Sequence, residues 1–138
     1  MTIFIDTGIF EAFHNKRDEN HLKAREIVRR IVKAEFGAAF TSDYIFDEAV
    51  TLALARTGRS EAALGLGRMI LGESSRPFAI LLRVGQEEFR QSWTLFAKYS
   101  SKGLSFTDCS SLALMETMEI EQMATFDSHF EGIASVVR

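Results

Sequence analysis

Four acidic residues stand next to apolar segments at widely separated places in the chain, and such acids bind a metal ion when folding brings them together. They are Asp6, Glu48, Asp108 and Asp127. Carboxylates crowded at one place repel each other, and a divalent cation offsets that repulsion. Because no Cys or His accompanies them at ligand spacing, an oxygen-preferring ion, Mg²⁺ or Mn²⁺, suits the set better than zinc.

The tripeptide Asp6-Thr7-Gly8 has two other interpretations, as the catalytic Asp-Thr-Gly of an aspartic protease or as the polar closure of a turn. An aspartic protease pairs two such acids across β-rich halves so that they share a proton. This chain contains one such tripeptide, in F-I-D-T-G-I-F, and most of its sequence has helical spacing. We therefore disfavour the protease interpretation.

Apolar runs alternate with helical patterns along the whole sequence. The runs predict strands over 2–6, 37–42, 78–84 and 123–127, with 133–137 as a fifth at the edge. Helices are predicted to Phe13 and over 21–36, 43–56, 60–71, 86–99 and 106–118. Because the strands are apolar on both faces, they belong in a parallel sheet covered by helices. The predicted fold is a three-layer α/β/α sandwich with a central parallel sheet of four to five strands.

This fold would place the acids together, because ligands sit beyond the carboxyl ends of parallel strands. Asp6 ends the first predicted strand and Asp127 the fourth, while Asp108 lies in the first turn of a helix. For the second position Asp43 and Asp47 compete with Glu48. We favour Glu48, because Asp43 suits a helix start and Asp47 a solvent-facing position.

Length, composition and net charge limit the class of protein that can carry this site. The chain has 138 residues, 46% hydrophobic and 25% charged, with a net charge of -3 and one cysteine. These values predict a single globular domain over 1–138, in the cytoplasm, with no membrane span and no signal peptide. The net charge argues against coating nucleic acid by bulk electrostatics. It allows a nuclease whose acids hold cations that meet the phosphate.

The sequence resembles PIN-domain ribonucleases, a family that includes the VapC-type toxins of toxin–antitoxin pairs. The resemblance is carried by F-I-D-T-G, T-S-D-Y-I-F-D-E-A-V-T-L, G-L-S-F-T-D-C-S-S-L-A-L-M and M-A-T-F-D-S-H-F. It implies that Asp6, Glu48, Asp108 and Asp127 are catalytic and hold Mg²⁺ or Mn²⁺, with Thr7 and Thr107 as supporting hydroxyls. It further implies an endoribonuclease leaving 5′-phosphate and 3′-hydroxyl ends, a homodimer, and an antitoxin that blocks the pocket. A housekeeping RNA-processing nuclease and a non-catalytic RNA-binding module are the alternatives.

Several basic residues are candidates for contacting an RNA substrate. They are His129, Lys102, Arg56, Lys16 and Arg17. His129 is a candidate because it follows Asp127 closely in a predicted loop. In the alternative interpretation, each of these side chains only solvates the surface. The single cysteine, Cys109, is predicted to be a small buried apolar residue beside the site.

Overall fold

The computed structural model describes residues Met1–Arg138, and a parallel sheet of five strands lies at its centre. The strands are β1 (Thr2–Ile5), β2 (Ala38–Ser42), β3 (Ile80–Leu82), β4 (Gln122–Ala124) and β5 (Val136–Val137). Their order across the sheet is β3-β2-β1-β4-β5, and every neighbouring pair is parallel. In the middle strand Ile3, Phe4 and Ile5 are fully buried. The sheet is therefore covered on both faces, as its composition predicts.

Six helices cover the sheet. They are α1 (Thr7–His14), α2 (His21–Val32), α3 (Asp43–Thr57), α4 (Ser60–Leu71), α5 (Gln86–Tyr99) and α6 (Phe106–Thr117). They pack chiefly as the consecutive pairs α1 with α2, α3 with α4, and α5 with α6. The predicted α/β class with a parallel central sheet is confirmed. No helix combines the length and apolar character needed to cross a membrane.

Helix α3 shows how local sequence sets the ends of an element. The Ser42 hydroxyl accepts a hydrogen bond from the Ile45 amide at 3.1 Å and so caps the start of the helix. Gly58, in the left-handed conformation with φ of 65°, ends it. On the facing helix, a Cβ built on Gly67 would lie 3.3 Å from Val50 Cγ1. Glycine at that position allows α4 to approach α3 closely.

Three of the predicted strands are at least two residues longer than the observed ones, and one of these, predicted over 133–137, is β5 (Val136–Val137). Strand β3 covers only Ile80–Leu82, since its three residues pair with Phe40–Ser42 at the edge of the sheet. Strand β4 ends at Ala124, so the prediction that Asp127 ends this strand is wrong. Asp127 instead precedes a short 3-10 helix, Ser128–Phe130, and its carboxylate accepts the amide of His129 at 2.9 Å. The apolar run continues beyond the ladder because its residues remain packed after pairing stops.

Candidate active site

The carboxyl ends of the two central strands position the first acid. The register of β1 and β4 pairs Ile5 with Ala124, and the Asp6 amide then donates to the Ala124 carbonyl at 3.0 Å. Asp6 is also the residue before the first turn of α1, with extended φ and ψ of -82° and 162°. Its carboxylate therefore leaves the middle of the sheet at the edge where ligands of parallel sheets bind.

Asp6 is held by a hydroxyl that sequence reasoning missed. The fully buried Thr125 donates a hydrogen bond from Oγ1 to Asp6 Oδ2 at 2.6 Å. Thr125 Oγ1 in turn accepts a hydrogen bond from the Asp127 amide at 3.0 Å. Thr125 thus links Asp6 to the backbone of Asp127. No local pattern marks Thr125 for this role, because its partner lies 119 residues away in the chain.

The pKa of Asp6 is raised from its ordinary 3.8 to about 7. Burial of the side chain, which is 5% exposed, is the largest cause. The charges of Asp108 and Glu48 add to the increase, and the hydrogen bond from Thr125 opposes it. The acids therefore act on one another, although burial raises this pKa more than their mutual repulsion does.

Glu48 reaches the same place from the second turn of α3. The Thr7 hydroxyl donates to Glu48 Oε1 at 2.5 Å and so holds this side chain in place. Burial raises the pKa of Glu48, and the charges of Asp108 and Asp127 raise it further. Of its two competitors, Asp47 is exposed. Asp43 accepts the Val84 amide at 3.0 Å and ties α3 to the segment after β3.

Asp108 is fixed at the first turn of α6 by a reciprocal cap. Ser105 donates its amide to Asp108 Oδ2 at 2.8 Å, and its Oγ accepts the Asp108 amide at 3.0 Å. Burial is the main cause of the raised pKa of Asp108, with the charge of Asp127 adding to it. The supporting hydroxyl is therefore that of Ser105, while Thr107 offers its carbonyl to Ser110 at 2.6 Å. The Ser-x-x-Asp spacing is a capping-box signal that sequence analysis could have used.

Asp127 is paired with one of the predicted substrate contacts. His129 Nδ1 lies 2.7 Å from Asp127 Oδ1, which also accepts the His129 amide. The ring packs over Gly103, where a Cβ would lie 2.7 Å from His129 Nε2. Lys102 is next to this glycine, with its ammonium 5.7 Å from the ring centroid of Tyr99. His129 thus lies beside the acids on the Asp127 side, and Lys102 precedes the glycine that its ring packs over.

The chemistry of the donors fits a hard divalent cation, since every candidate ligand is a carboxylate oxygen. In this arrangement no group of three or more His, Cys, Asp or Glu side chains lies close enough to hold a metal ion. Each carboxylate is instead turned toward its own hydroxyl or backbone partner. The mutual repulsion of the acids opposes a closer approach of their carboxylates when no cation is bound.

The other predicted contacts line a basic cleft next to the C-terminal end of α1. Lys16, Arg17 and Arg56 lie around a cleft of about 570 Å³ that also includes His14 and Arg59. Glu11 of α1 lines the same cleft and is 6% exposed. Burial raises its pKa to about 7, and the charge of Arg56 opposes that increase. Sequence analysis missed Glu11, although an acid inside the apolar helix I-F-E-A-F was a usable signal.

Comparison with protein families decides which family this fold and these acids represent. The family pattern described as PIN domain matches residues 3–136. The chain belongs to the PIN domain family. This PIN domain is 28% identical over 131 residues to the VapC ribonuclease of Archaeoglobus fulgidus, with 94% of this chain and 80% of that protein covered. It is 25% identical over 138 residues to the 23S rRNA-specific endonuclease VapC20 of Mycobacterium tuberculosis, covering 97% and 95% of the two chains.

Solved structures agree with this assignment at the level of the fold. The crystal structure of Mycobacterium tuberculosis VapC20, described as a Sarcin-Ricin loop cleaving toxin, matches with a TM-score of 0.82 and 24% identity, covering 99% of this chain and 98% of that one. A toxin-antitoxin complex from Klebsiella pneumoniae matches this PIN domain with a TM-score of 0.64 and 19% identity, covering 99% and 96%. The resemblance to the PIN family is therefore confirmed.

Proposed function

We propose that this PIN domain is a metal-dependent endoribonuclease and the toxin of a toxin–antitoxin pair. The proposal is carried by the burial of Asp6 and Asp108 beside Glu48 at the carboxyl edge of the sheet, with the pKa of all three raised. Buried carboxylates placed close together in this way are costly for a folded protein and are typical of functional sites. The relatives named as a ribonuclease and a 23S rRNA-specific endonuclease indicate RNA as the substrate.

In the proposed mechanism Asp6, Glu48, Asp108 and Asp127 hold Mg²⁺ or Mn²⁺. When bound, the ion lowers the pKa of a water molecule and offsets negative charge on the phosphate. The hydroxyls of Thr125 and Thr7 orient Asp6 and Glu48 by the hydrogen bonds described above. The backbone cap at Ser105 does the same for Asp108. Cleavage would leave a 5′-phosphate and a 3′-hydroxyl.

An acidic site alone would repel the phosphates of RNA, and the nearby basic residues would offset this repulsion. Lys16, Arg17 and Arg56 lie together in one cleft, where they would attract the phosphates on one side of the cut. Lys102 and His129 would contact the strand on the Asp127 side. These cationic side chains would offset the charge of the phosphates that flank the reacting one.

The test is cleavage of single-stranded or loop RNA by the purified protein. We expect cleavage with Mn²⁺ or Mg²⁺ and none in excess EDTA. Asp108→Asn should abolish cleavage and leave the helical circular dichroism intact, since asparagine keeps an oxygen for the Ser105 cap. Asp47→Asn, at an exposed residue next to Glu48, is the control and should cleave like the parent. Cleavage that persists in EDTA, with contaminating nuclease excluded, contradicts the mechanism.

We also propose an antitoxin partner, a homodimer and a cytoplasmic location. The fold similarity to a toxin-antitoxin complex supports the first of these. Phe89 and Trp93 on α5 are 51% and 64% exposed and offer apolar surface to a second copy. Sedimentation of the parent and of Trp93→Ser should give a dimer for the parent and a shift toward monomer for the variant. A monomeric parent at all concentrations contradicts the dimer.

A further inference from the structure

A second pocket opens beside the acids, and we call it the Glu11 pocket. It has a volume of about 360 Å³, and its lining includes Gly8, Glu11, Glu19, Arg56 and Phe126. Two of these residues adjoin the acids in sequence, because Gly8 is two residues after Asp6 and Phe126 directly precedes Asp127. A nucleotide next to the reacting phosphate could therefore place its base in this pocket.

The carboxyl group of Glu11 lacks a partner. Its Oε1 is buried and is the one such side-chain oxygen or nitrogen in the structure without a hydrogen bond. A buried polar group in this state is costly, and a donor on a bound ligand would remove the cost. The last torsion of a glutamate side chain is broad, so a small rotation can present both oxygens to such a ligand.

The surroundings favour RNA over a peptide as the source of that donor. Glu11 and Arg56 line both the Glu11 pocket and the basic cleft that contains Lys16, Arg17 and Arg59. A strand that runs from the acids to this cleft passes over the Glu11 pocket and meets its cations with successive phosphates. Apart from Arg56, the cations lie in the cleft, where the phosphates would pass, whereas the carboxylates of Asp18 and Glu19 lie in the pocket, where the uncharged base would sit.

The chemistry of Glu11 selects among the bases. Above its pKa of about 7 the Glu11 carboxylate is ionised and only accepts hydrogen bonds, so the cleavage assays below are run at pH 8. Guanine is the base whose Watson–Crick edge presents two adjacent donors, N1–H and the 2-amino group, whereas the other bases place an acceptor beside each donor. The ring of Phe126 adds a surface for stacking. Phe126 is half-buried and lines the pocket, so part of its ring is open to it.

We propose that the Glu11 pocket binds a guanine of the RNA substrate next to the cleaved phosphate, with Glu11 accepting hydrogen bonds from N1–H and the 2-amino group. This inference rests on the proposed ribonuclease function and gives that site a base preference. Glu11 is thus a specificity-determining residue, separate from the acids that hold the cation.

The experiment measures base preference as a ratio, so that the rate of catalysis cancels. A pool of RNAs with a randomised single-stranded segment is cleaved with Mn²⁺, and the ends are sequenced to locate the preferred guanine. Matched RNAs with guanine or inosine there are then compared, because inosine lacks only the 2-amino group. The parent should prefer guanine by about tenfold, the effect of one hydrogen bond to a charged group. Glu11→Gln should reduce the ratio to near one while still cleaving.

Glu73→Gln is the control, because it removes the same charge from an exposed side chain outside both the Glu11 pocket and the basic cleft. It should keep the guanine preference of the parent. An equal preference in the parent and in Glu11→Gln, with cleavage intact, overturns the inference and leaves the nuclease standing. Absence of cleavage of every RNA by the parent overturns both.

A last measurement tests whether the pocket binds an arginine side chain instead of a guanine base. Methylguanidine serves as the probe for the arginine side chain. We expect no change in the melting temperature of the parent when methylguanidine is added. If methylguanidine raises the melting temperature of the parent but not that of Glu11→Gln, and guanine has no advantage over inosine, the pocket binds an arginine side chain and the inference is wrong.

Discussion

Replacing Asp6 with asparagine should stabilise the metal-free protein, and the gain should depend on pH. The folded protein holds the Asp6 proton more tightly than the unfolded chain does, because its pKa is raised from 3.8 to about 7. The stability that this proton contributes is fully present below the unfolded-state pKa of 3.8, and it is lost as the pH rises through the folded-state pKa of about 7. Asparagine resembles the protonated form and can still accept the hydrogen bond from Thr125. The variant therefore keeps the stability that the parent loses when Asp6 becomes ionised.

The size of the effect follows from the two pKa values. Each pH unit between them removes about 1.4 kcal/mol of stability from the parent. Asp6→Asn should therefore raise the free energy of unfolding by about 2 kcal/mol at pH 5 and by about 4 kcal/mol at pH 8. Above that pH the difference should stay constant, because Asp6 is then ionised in both the folded and the unfolded state.

The assay is urea unfolding followed by circular dichroism in EDTA at pH 5, 6, 7 and 8, at one protein concentration. Glu73→Gln, at an exposed residue, is the control for loss of one negative charge and should show no such pH dependence. Adding millimolar Mg²⁺ should narrow the gap at pH 8, because the cation stabilises the parent more than a variant lacking one ligand. If Asp6→Asn is less stable than the parent at pH 8, or if the gain is the same at pH 5 and pH 8, our account of the buried carboxylate is refuted.

Two further predictions concern the residues that hold the acids in place. Thr125→Val removes the donor to Asp6 and should lower the free energy of unfolding, measured with urea, by about 2–3 kcal/mol. Thr125→Ser keeps the hydroxyl and should lower it by about 1 kcal/mol. Equal losses in the two variants would mean that the hydroxyl is not the cause. Gly103→Ala should cost about 1 kcal/mol more than Gly58→Ala, because both glycines have positive φ but only at Gly103 does a Cβ meet His129. The excess should vanish in a His129→Ala background, and an excess that persists there would exclude the contact as its cause.

The sequence by itself determines the class of the fold and the set of acids. Runs such as T-I-F-I and the helical spacing of the apolar residues in α2 are local signals. The structure buries Ile3, Phe4 and Ile5 of the run and Ala24, Ile27, Val28 and Ile31 of the helix, whereas Val32, at the same predicted spacing, is 66% exposed. The order of strands and helices follows from such signals, and so does the placement of Asp6 at the carboxyl edge. The ends of β3 and β4 do not follow from these local signals, because an apolar residue can remain packed after its strand has stopped pairing.

Only the tertiary structure decides how the acids are held and how strongly they bind protons. The register of β1 against β4 sets Thr125 beside Asp6, and neither residue signals this in its own segment. The raised pKa of Asp6 comes mainly from burial, which depends on everything packed around it. The unpartnered carboxyl of Glu11 appears only when α1, α3 and the loop before α2 enclose it. Periodicity is a property of neighbours in sequence, whereas hydrogen-bond partners and desolvation are properties of neighbours in space.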